Sequence, residues 1–154
     1  MLMQPVIDRL AIANALTALV SLGLFRNEPA RRVIAWDQVA AQPAIFVRKL
    51  GEHHQRKQDY RLRQVTLEFE LWIYVNSQGL DPDQAGSDAL DLIMGTPASP
   101  GLETVFMTPD DPQRGTLTLG GLVQHCWIEG TVHYDNGDID NQAKMTVPVL
   151  VLCP

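Results

Sequence analysis

The sequence predicts an α+β domain in which two helices pack on a mainly antiparallel sheet of four to five strands. Segments that alternate apolar and polar residues predict strands, and two segments with helix start and stop signals predict helices. They follow one another in the order α-β-β-α-β-β. With 154 residues, 45% of them hydrophobic, the chain is long enough for one sizeable core. We therefore expect a single domain over residues 1–154.

The first predicted helix covers about Pro5 to Leu22, with Pro5 in the first turn. It is too short and too often interrupted by polar residues to span a membrane, so we interpret it as a helix of a soluble domain. Its apolar residues surround it instead of forming one stripe: Val6, Ile7, Leu10, Ile12, Leu16, Leu19 and Val20. A helix that is apolar nearly all round is buried on more than one side, which favours a second subunit as the other partner.

Two strands and a polar linker follow. Residues 44–50 predict a strand, the charged segment 51–61 a long flexible connection, and "RLRQVTLEFELWIYV" (residues 61–75) a second strand. One face of that strand is apolar from Val65 to Val75. The other face begins with acidic residues and ends with Trp72 and Tyr74. Either a neighbouring subunit or a loop of the same chain has to cover these two rings.

The second predicted helix has clear start and stop signals. Asp81 suits the N-cap, Pro82 the first turn, and Gly95 the C-terminal stop. The segment 96–116 is rich in Pro and Gly and predicts a flexible loop. It contains a short apolar cluster including Phe106 and Met107, which either docks on a partner or folds back on its own sheet.

The last third predicts strands again, separated by an Asn-Gly turn signal within 135–142. The final strand is apolar on both faces and contains Pro148, which cannot donate a ladder hydrogen bond. We therefore expect this strand at a sheet edge, or Pro148 at a bulge. An edge strand that is apolar on both faces needs a cover, which again favours a neighbouring subunit.

The pattern contains no recognisable chemical site. The net charge of −6 argues against a general nucleic-acid binder. The adjacent His53 and His54 lack a metal-ligand spacing, and His125 and His133 are too far apart along one strand to share an ion. Cys126 and Cys153 lie in apolar segments typical of buried thiols. We expect no metal, no cofactor and no enzymatic activity.

The order and patterning of nearly the whole chain resemble a known family. The features that carry the resemblance are the opening Ala/Leu helix, the turn "FRNEPARRVIAW", the strand "PAIFV", the long amphipathic strand, the helix "ALDLIM" and the ending "TLGGLVQHCWIEGTVHYDNGDIDNQAKMTVPVLVLCP". They resemble the tail terminator, or tail completion, proteins of long-tailed bacteriophages, the lambda-like minor tail group.

The resemblance implies an α+β virion protein without an active site. Copies of it would form a ring, by analogy a hexamer, on the last ring of the tail tube. The ring would stop tube growth and present the joining surface for the head. Its partners would be the tail tube protein and the head-tail connector, with DNA passing through the lumen without specific binding and no membrane involved. It would lie at the head-proximal end of the tail, and in the host cytoplasm during assembly.

Two groups of residues are expected at contacts in such a ring. The predicted inter-subunit residues are Trp72, Tyr74, Val149, Leu150, Arg31 and Arg32. The predicted contacts to the tube, the neck or the lumen are His53, His54, Arg56, Lys57, Phe106 and Met107. Three alternatives remain open from the sequence: a head-tail connector (neck) protein, a small ligand-binding α+β domain, and an enzyme whose site is assembled from distant residues.

Overall fold

A computed structural model of the chain describes residues 6–22, 25, 43–56, 63–76, 91, 93–135 and 142–154. These described residues include two complete helices and five strands: α1 (Arg9–Leu19), β1 (Ala44–Arg56), β2 (Arg63–Asn76), α2 (Leu102–Phe106), β3 (His125–Ile128), β4 (His133–Asp135) and β5 (Gln142–Leu152). The predicted class, α+β with an antiparallel sheet, is confirmed. The predicted order of elements is not, because α2 was unexpected and one predicted strand is divided into β3 and β4.

Helix α1 starts later than predicted. Asp8 is its N-cap and accepts a hydrogen bond from the Ala11 N–H at 3.0 Å, and residues 6–8 are not helical. Ile12, Ala13 and Leu16 are buried on one side of the helix. On another side Leu10 is 62% exposed in the single chain. The helix therefore packs on the sheet through one face only.

The sheet is antiparallel throughout, in the order β1-β2-β5-β3, with β4 also paired to β5. β3 and β4 pair with successive parts of β5, so they form one strand line interrupted between Glu129 and Val132. β5 is thus a central strand, and the prediction that it lies at an edge is wrong.

The interruption explains how a central strand accommodates Pro148. In a strand the N–H and C=O of one residue point to the same side, and the Pro148 carbonyl accepts from the Glu129 N–H at 3.3 Å. The side without a donor therefore faces the break between β3 and β4. There Gly130 has φ +119°, and a Cβ on it would lie 3.1 Å from the Pro148 Cγ. Gly130 is the residue that lets the loop pass close to the proline.

The main core lies on one face of the sheet, called here the core face. It receives α1, α2 and the inward residues of β2 and β5, which include Leu67, Phe69, Leu71, Val147 and Val149. The predicted inward face of β2, from Val65 to Val75, is confirmed. Cys126 and Cys153 are buried free thiols, and burial raises the pKa of Cys126 to about 12.

Two predicted loops differ in the structure. Residues 51–56 belong to β1, and their pairing with β2 continues to Arg56 opposite Arg63, so the predicted flexible linker is wrong over this stretch. Residues 57–61 lie outside the described residues. Within 96–116, residues 102–106 form α2 with Leu102 and Phe106 buried. No helix in the described ranges is long and apolar enough to cross a membrane.

The end of the second predicted helix is confirmed. Asp91, Ile93 and Met94 are helical, and the Gly95 N–H donates to the Asp91 carbonyl at 3.0 Å. Gly95 has φ +111°, the conformation that ends a helix most easily when the residue is glycine. The predicted start of this helix, with Asp81 and Pro82, lies outside the described residues.

Candidate functional site: the second face of the sheet

The face of the sheet opposite the core face is called here the second face. Residues directly opposite each other on paired strands share a face, so the strand register defines its composition. From one end of the sheet to the other, the described members are His53, Thr66, Leu152 and His125; then Gly51, Glu68, Leu150 and Trp127; Arg48, Glu70 and Pro148; Phe46, Trp72, Thr146 and His133; Ala44, Tyr74, Lys144 and Asp135.

One end of this face, the closed end, consists of Ala44, Phe46, Trp72 and Tyr74. Ala44, Phe46 and Tyr74 are buried and form a second, small apolar cluster against which Trp72 packs. The rings of Phe46 and Tyr74 meet edge to face, with centroids 5.8 Å apart and an interplanar angle of 64°. Burial raises the pKa of the Tyr74 phenol. This end is covered within a single chain.

Trp72 is partly covered by cations from the neighbouring strands. The Lys144 Nζ lies 4.4 Å and the Arg48 Cζ 5.6 Å from the centroid of its ring. The Trp72 indole N–H donates to the Glu70 carboxylate. Cation–π contacts are most favourable on tryptophan. Side chains of the same sheet therefore shield much of the Trp72 ring, for which the sequence predicted either a neighbouring subunit or a loop.

The other end, called the open end, consists of His125, Trp127, Pro148, Leu150 and Leu152. All five are only partly buried in the single chain. The rings of His125 and Trp127 stack, with centroids 5.1 Å apart and an interplanar angle of 14°. Glu68 and Glu70 of β2 border this apolar strip. An apolar strip with an acidic border is typical of a surface that contacts another protein.

The predicted inter-subunit residues do not all lie at an exposed surface, contrary to the expectation from the sequence. Val149 points into the core and is fully buried, and Tyr74 is 4% exposed. Neither can lose appreciable solvent exposure on association, so the interface prediction is wrong for both. Trp72 and Leu150 lie on the second face and stay predictions, whereas Arg31 and Arg32 lie outside the described residues.

The predicted tube, neck or lumen contacts are also divided. Phe106 is buried in the core, so its predicted role as a contact is wrong, whereas the adjacent Met107 is 80% exposed. His53 and His54 are exposed on β1, and so is Arg56. Lys57 lies outside the described residues. The structure thus places the surviving candidates on a strand and beside a short helix, not on long loops.

Sequence reasoning missed two groups of residues. Trp127, Pro148 and Leu152 join Leu150 on the second face. The signal for Trp127 was present, because it is an aromatic on the polar side of an alternating segment, as Trp72 is. Leu152 belongs to the second apolar face that the sequence showed for the final strand, but it was not named as a contact residue.

The second missed group surrounds Glu52 on the core-face side of β1. A bulge between Lys49 and Gly51 shifts the register, so Lys49 and Glu52 face the same side. Glu52 accepts hydrogen bonds from Arg9 of α1, from Lys49 at 2.8 Å and from His54 at 2.8 Å. The Arg9 hydrogen bond, followed by those of Lys49 and His54, holds the pKa of Glu52 far below its usual range. The cluster links α1 to β1.

A depression of about 660 Å³ lies where the loop 110–124 meets the end of β5. Asp111, Thr116 and His125 are among its lining residues. The His125 Nδ1 accepts from the Leu117 N–H at 3.1 Å, so a neutral ring carries its proton on Nε2. The buried Thr116 hydroxyl has no hydrogen-bond partner among the described residues.

The loop that frames this depression is held by Asp110. The Asp110 carboxylate accepts from the Thr118 N–H at 2.6 Å and from the Gly120 N–H at 3.0 Å, and these backbone hydrogen bonds lower the Asp110 pKa. Among the described residues, no group of three His, Cys, Asp or Glu side chains converges in a way that could hold a metal ion.

Comparison of the chain with models of known protein families and with characterised proteins finds no match.

Proposed function

We propose that the protein is a structural virion protein that caps the end of a bacteriophage tail tube as a ring. In this role it stops tube polymerisation and provides the joining surface for the head. It contacts further copies of itself, the tail tube protein and the head-tail connector, and it performs no catalytic step. The resemblance to tail terminator proteins is the origin of the proposal.

The open end of the second face is the structural observation that supports it most. The strip of Trp127, Pro148, Leu150 and Leu152 is only half-buried, whereas the inward residues of β2 and β5 on the core face are buried. It is a nearly continuous surface of strand residues, which suits a second protein surface better than a small ligand. The exposed Leu10 on α1 gives the subunit a second apolar contact on the opposite side of the sheet.

Electron microscopy of phage tails assembled with and without the protein tests the proposal. With the protein we expect tubes of uniform length, and without it tubes of uncontrolled length. Tubes of normal length that lack heads would assign the protein to the neck as a connector, which is the nearest alternative. Tubes and heads that are unchanged by its removal would contradict both roles.

A pair of variants connects this test to the open end. Leu150→Glu places a carboxylate in the apolar strip and should abolish length control while the chain still folds, because Leu150 is only partly buried. Gln113→Glu adds the same charge at an exposed loop position outside the second face and serves as the matched control. Equal behaviour of the two variants would remove the open end from the function.

The depression beside Thr116 and His125 favours a second candidate, a small ligand-binding domain. A concave surface with several polar groups is a common form of ligand site, and the Thr116 hydroxyl lacks a partner among the described residues. Thermal unfolding in the presence of a panel of small polar metabolites tests it. A rise in Tm that is lost in Thr116→Val would support this candidate, and no rise with any compound would contradict it.

A further inference from the structure

The charges of the chain are distributed very unevenly along the sequence. Residues 1–63 contain ten lysines and arginines and five acidic residues, whereas residues 64–154 contain two and thirteen. The fold turns this difference along the chain into a difference across the sheet. β1 and α1 come from the basic part, and β3, β4 and α2 come from the acidic part. β1 and β3 are at opposite ends of the strand order.

The side of the molecule formed by β1 and α1 is called here the basic edge. Arg48, His53 and Arg56 are exposed along β1. Glu52 is surrounded by Arg9, Lys49 and His54, so the one described acidic residue of β1 is already neutralised.

Exposed apolar side chains accompany these cations on the basic edge. The bulge in β1 turns Leu50 outward, where it is 50% exposed. Leu10 is exposed next to Arg9 on α1, and Arg9 joins α1 to Glu52 on β1, so both leucines lie at the junction of α1 and β1. The basic edge thus combines exposed leucines with a surplus of positive charge.

The opposite side, formed by β3, β4 and α2, is called here the acidic edge. Its carboxylates include Asp91, Glu103 and Glu129, and none of the three has an ion-pair partner among the described residues. Burial, followed by the charges of Asp91 and Glu103, raises the pKa of Tyr134. Both carboxylates therefore lie close enough to β4 to act on this phenol.

The acidic edge also contains an apolar depression of about 230 Å³. Glu103 is the one charged residue among the described residues that line the depression. The others are apolar: Met94, Phe106, Met107, Trp127, Ile128 and Val132. Met107 on its wall is among the most exposed of the large apolar residues that the structure describes. An apolar depression bordered by carboxylates is complementary in both polarity and charge to leucines that are bordered by cations.

We propose that the basic edge of one copy binds the acidic edge of a second copy, with Leu10 and Leu50 seated against the apolar depression. The occupant of the acidic edge is another copy of this chain, because the complementary basic and apolar surface is present on the same molecule. The two edges are different surfaces, so the contact is head-to-tail. Such a contact leaves a free edge at each end and closes only as a ring. This inference rests on the proposed function and names the surfaces that would form that ring.

Charge reversal tests the pairing of the two edges. Arg48→Glu with Arg56→Glu reverses the basic edge, and Glu103→Lys with Glu129→Lys reverses the acidic edge by the same amount. Sedimentation velocity is measured from about 10 μM to about 1 mM protein, where weak association is detectable. The ionic strength is about 50 mM, where screening is modest. The wild-type chain should associate as its concentration rises. The dissociation constant for self-association of each reversed variant should be at least about tenfold higher than that of the wild-type chain.

Mixing the two reversed variants is the decisive arm. The first variant has two acidic edges and the second has two basic edges, so each should stay monomeric alone and the mixture should associate. Arg114→Glu changes an exposed arginine outside both edges and should leave wild-type association intact. Circular dichroism confirms that every variant is folded. A mixture that remains monomeric would overturn the proposal, because loss of association alone can arise from damage to either edge.

A wild-type chain that stays monomeric at the highest concentration would also overturn the proposal. A fluorescent DNA duplex is included as a competing ligand. If the duplex binds the wild-type chain but not the basic-edge variant, while the chain does not self-associate, then the basic edge recognises nucleic acid instead. The tail experiment is independent of these measurements. Reversed variants that still limit tube length would refute the edge pairing and leave the proposed function standing, whereas tails unaffected by removal of the protein would refute the proposed function.

Discussion

The two faces of the sheet are built from alternate residues of the same strands, yet they differ sharply in how completely they are covered. On the core face, the inward residues of β2 and β5 are buried along their length in one apolar cluster that also contains residues of α1 and α2. On the second face the closed end around Phe46 and Tyr74 is buried, while the open end around Leu150 and Trp127 is only half-buried. Residues of similar polarity in one strand are therefore buried in the core on one side and partly exposed on the other, where we propose that they contact another protein.

The largest difference between the faces should appear in a matched pair of leucine substitutions. Leu71→Ala removes a fully buried side chain from the core face and should lower the free energy of unfolding by about 3 kcal/mol. Leu150→Ala removes a half-buried side chain from the open end and should cost about 1 kcal/mol or less. Urea unfolding of both variants measures the difference. Equal losses would mean that the open end is as much a part of the core as Leu71.

Gly130→Ala tests the point where the second face accommodates Pro148. Alanine at this positive φ is strained, and its Cβ would lie 3.1 Å from the Pro148 Cγ. The two effects together should destabilise the chain by about 2 kcal/mol in thermal unfolding. Gly51→Ala is the control, because the Cβ that alanine adds at position 51 would have no atom of the described residues within 4 Å beyond its chain neighbours. We expect that variant to change stability by less than about 0.5 kcal/mol.

The cluster at Glu52 should make the core-face side of β1 sensitive to acid. Hydrogen bonds from Arg9, Lys49 and His54 lower the pKa of folded Glu52 below the unfolded value of about 4.3. The stabilisation is therefore present above that value and is lost as the pH falls through it toward the folded pKa. Glu52→Gln should cost about 1 kcal/mol at neutral pH, and the difference from wild type should shrink in acid.

Glu68→Gln is the matched control for this pH dependence. Glu68 lies exposed on the second face and has no ion-pair partner among the described residues. Its substitution should leave the stability curve between about pH 3 and about pH 7 close to that of wild type. A Glu52→Gln curve parallel to wild type over the whole range would show that the cluster does not stabilise the junction of α1 and β1.

The smallest effect is expected at Trp72, on the boundary between the closed and open ends. Lys144→Met removes the ammonium that lies 4.4 Å from the ring centroid and should cost about 0.5 kcal/mol. Arg48→Met removes the more distant cation, 5.6 Å from the centroid, and should cost less. Urea unfolding, monitored by tryptophan fluorescence, measures the loss of stability in both variants. The reverse order of the two losses would contradict the assignment of Lys144 as the main cover of Trp72.

Local patterning predicted much of the fold. The alternation of β2 predicted its inward face residue by residue, because a strand has only two faces and one of them was uniformly apolar. The glycine at position 95 predicted the end of a helix, because the required conformation strongly favours glycine. The strand boundaries of β1 were not predictable in the same way. Residues 51–56 are polar on both sides, and only their pairing with β2 makes them a strand.

The candidate site was predicted less well, for a physical reason that Val149 and Leu150 illustrate. Alternation shows that these neighbours point to opposite sides, but it does not show which side receives the helices. The sequence also presents Pro148 as an edge signal. That signal failed because the neighbouring strand line breaks opposite the proline, and the break depends on Gly130, eighteen residues away in sequence.

Three properties follow from the amino-acid sequence alone: the α+β class, the inward face of β2, and the excess of positive charge in residues 1–63 over residues 64–154. These properties depend on residue type and on spacing within one segment. The folded chain was needed to show that β5 is central and that the second face has a closed and an open end. It also placed β1 and β3, the described strands of these two parts that lie farthest apart, at opposite edges of the sheet. Strand order and register depend on pairings between distant segments, and no local pattern specifies which segments will meet.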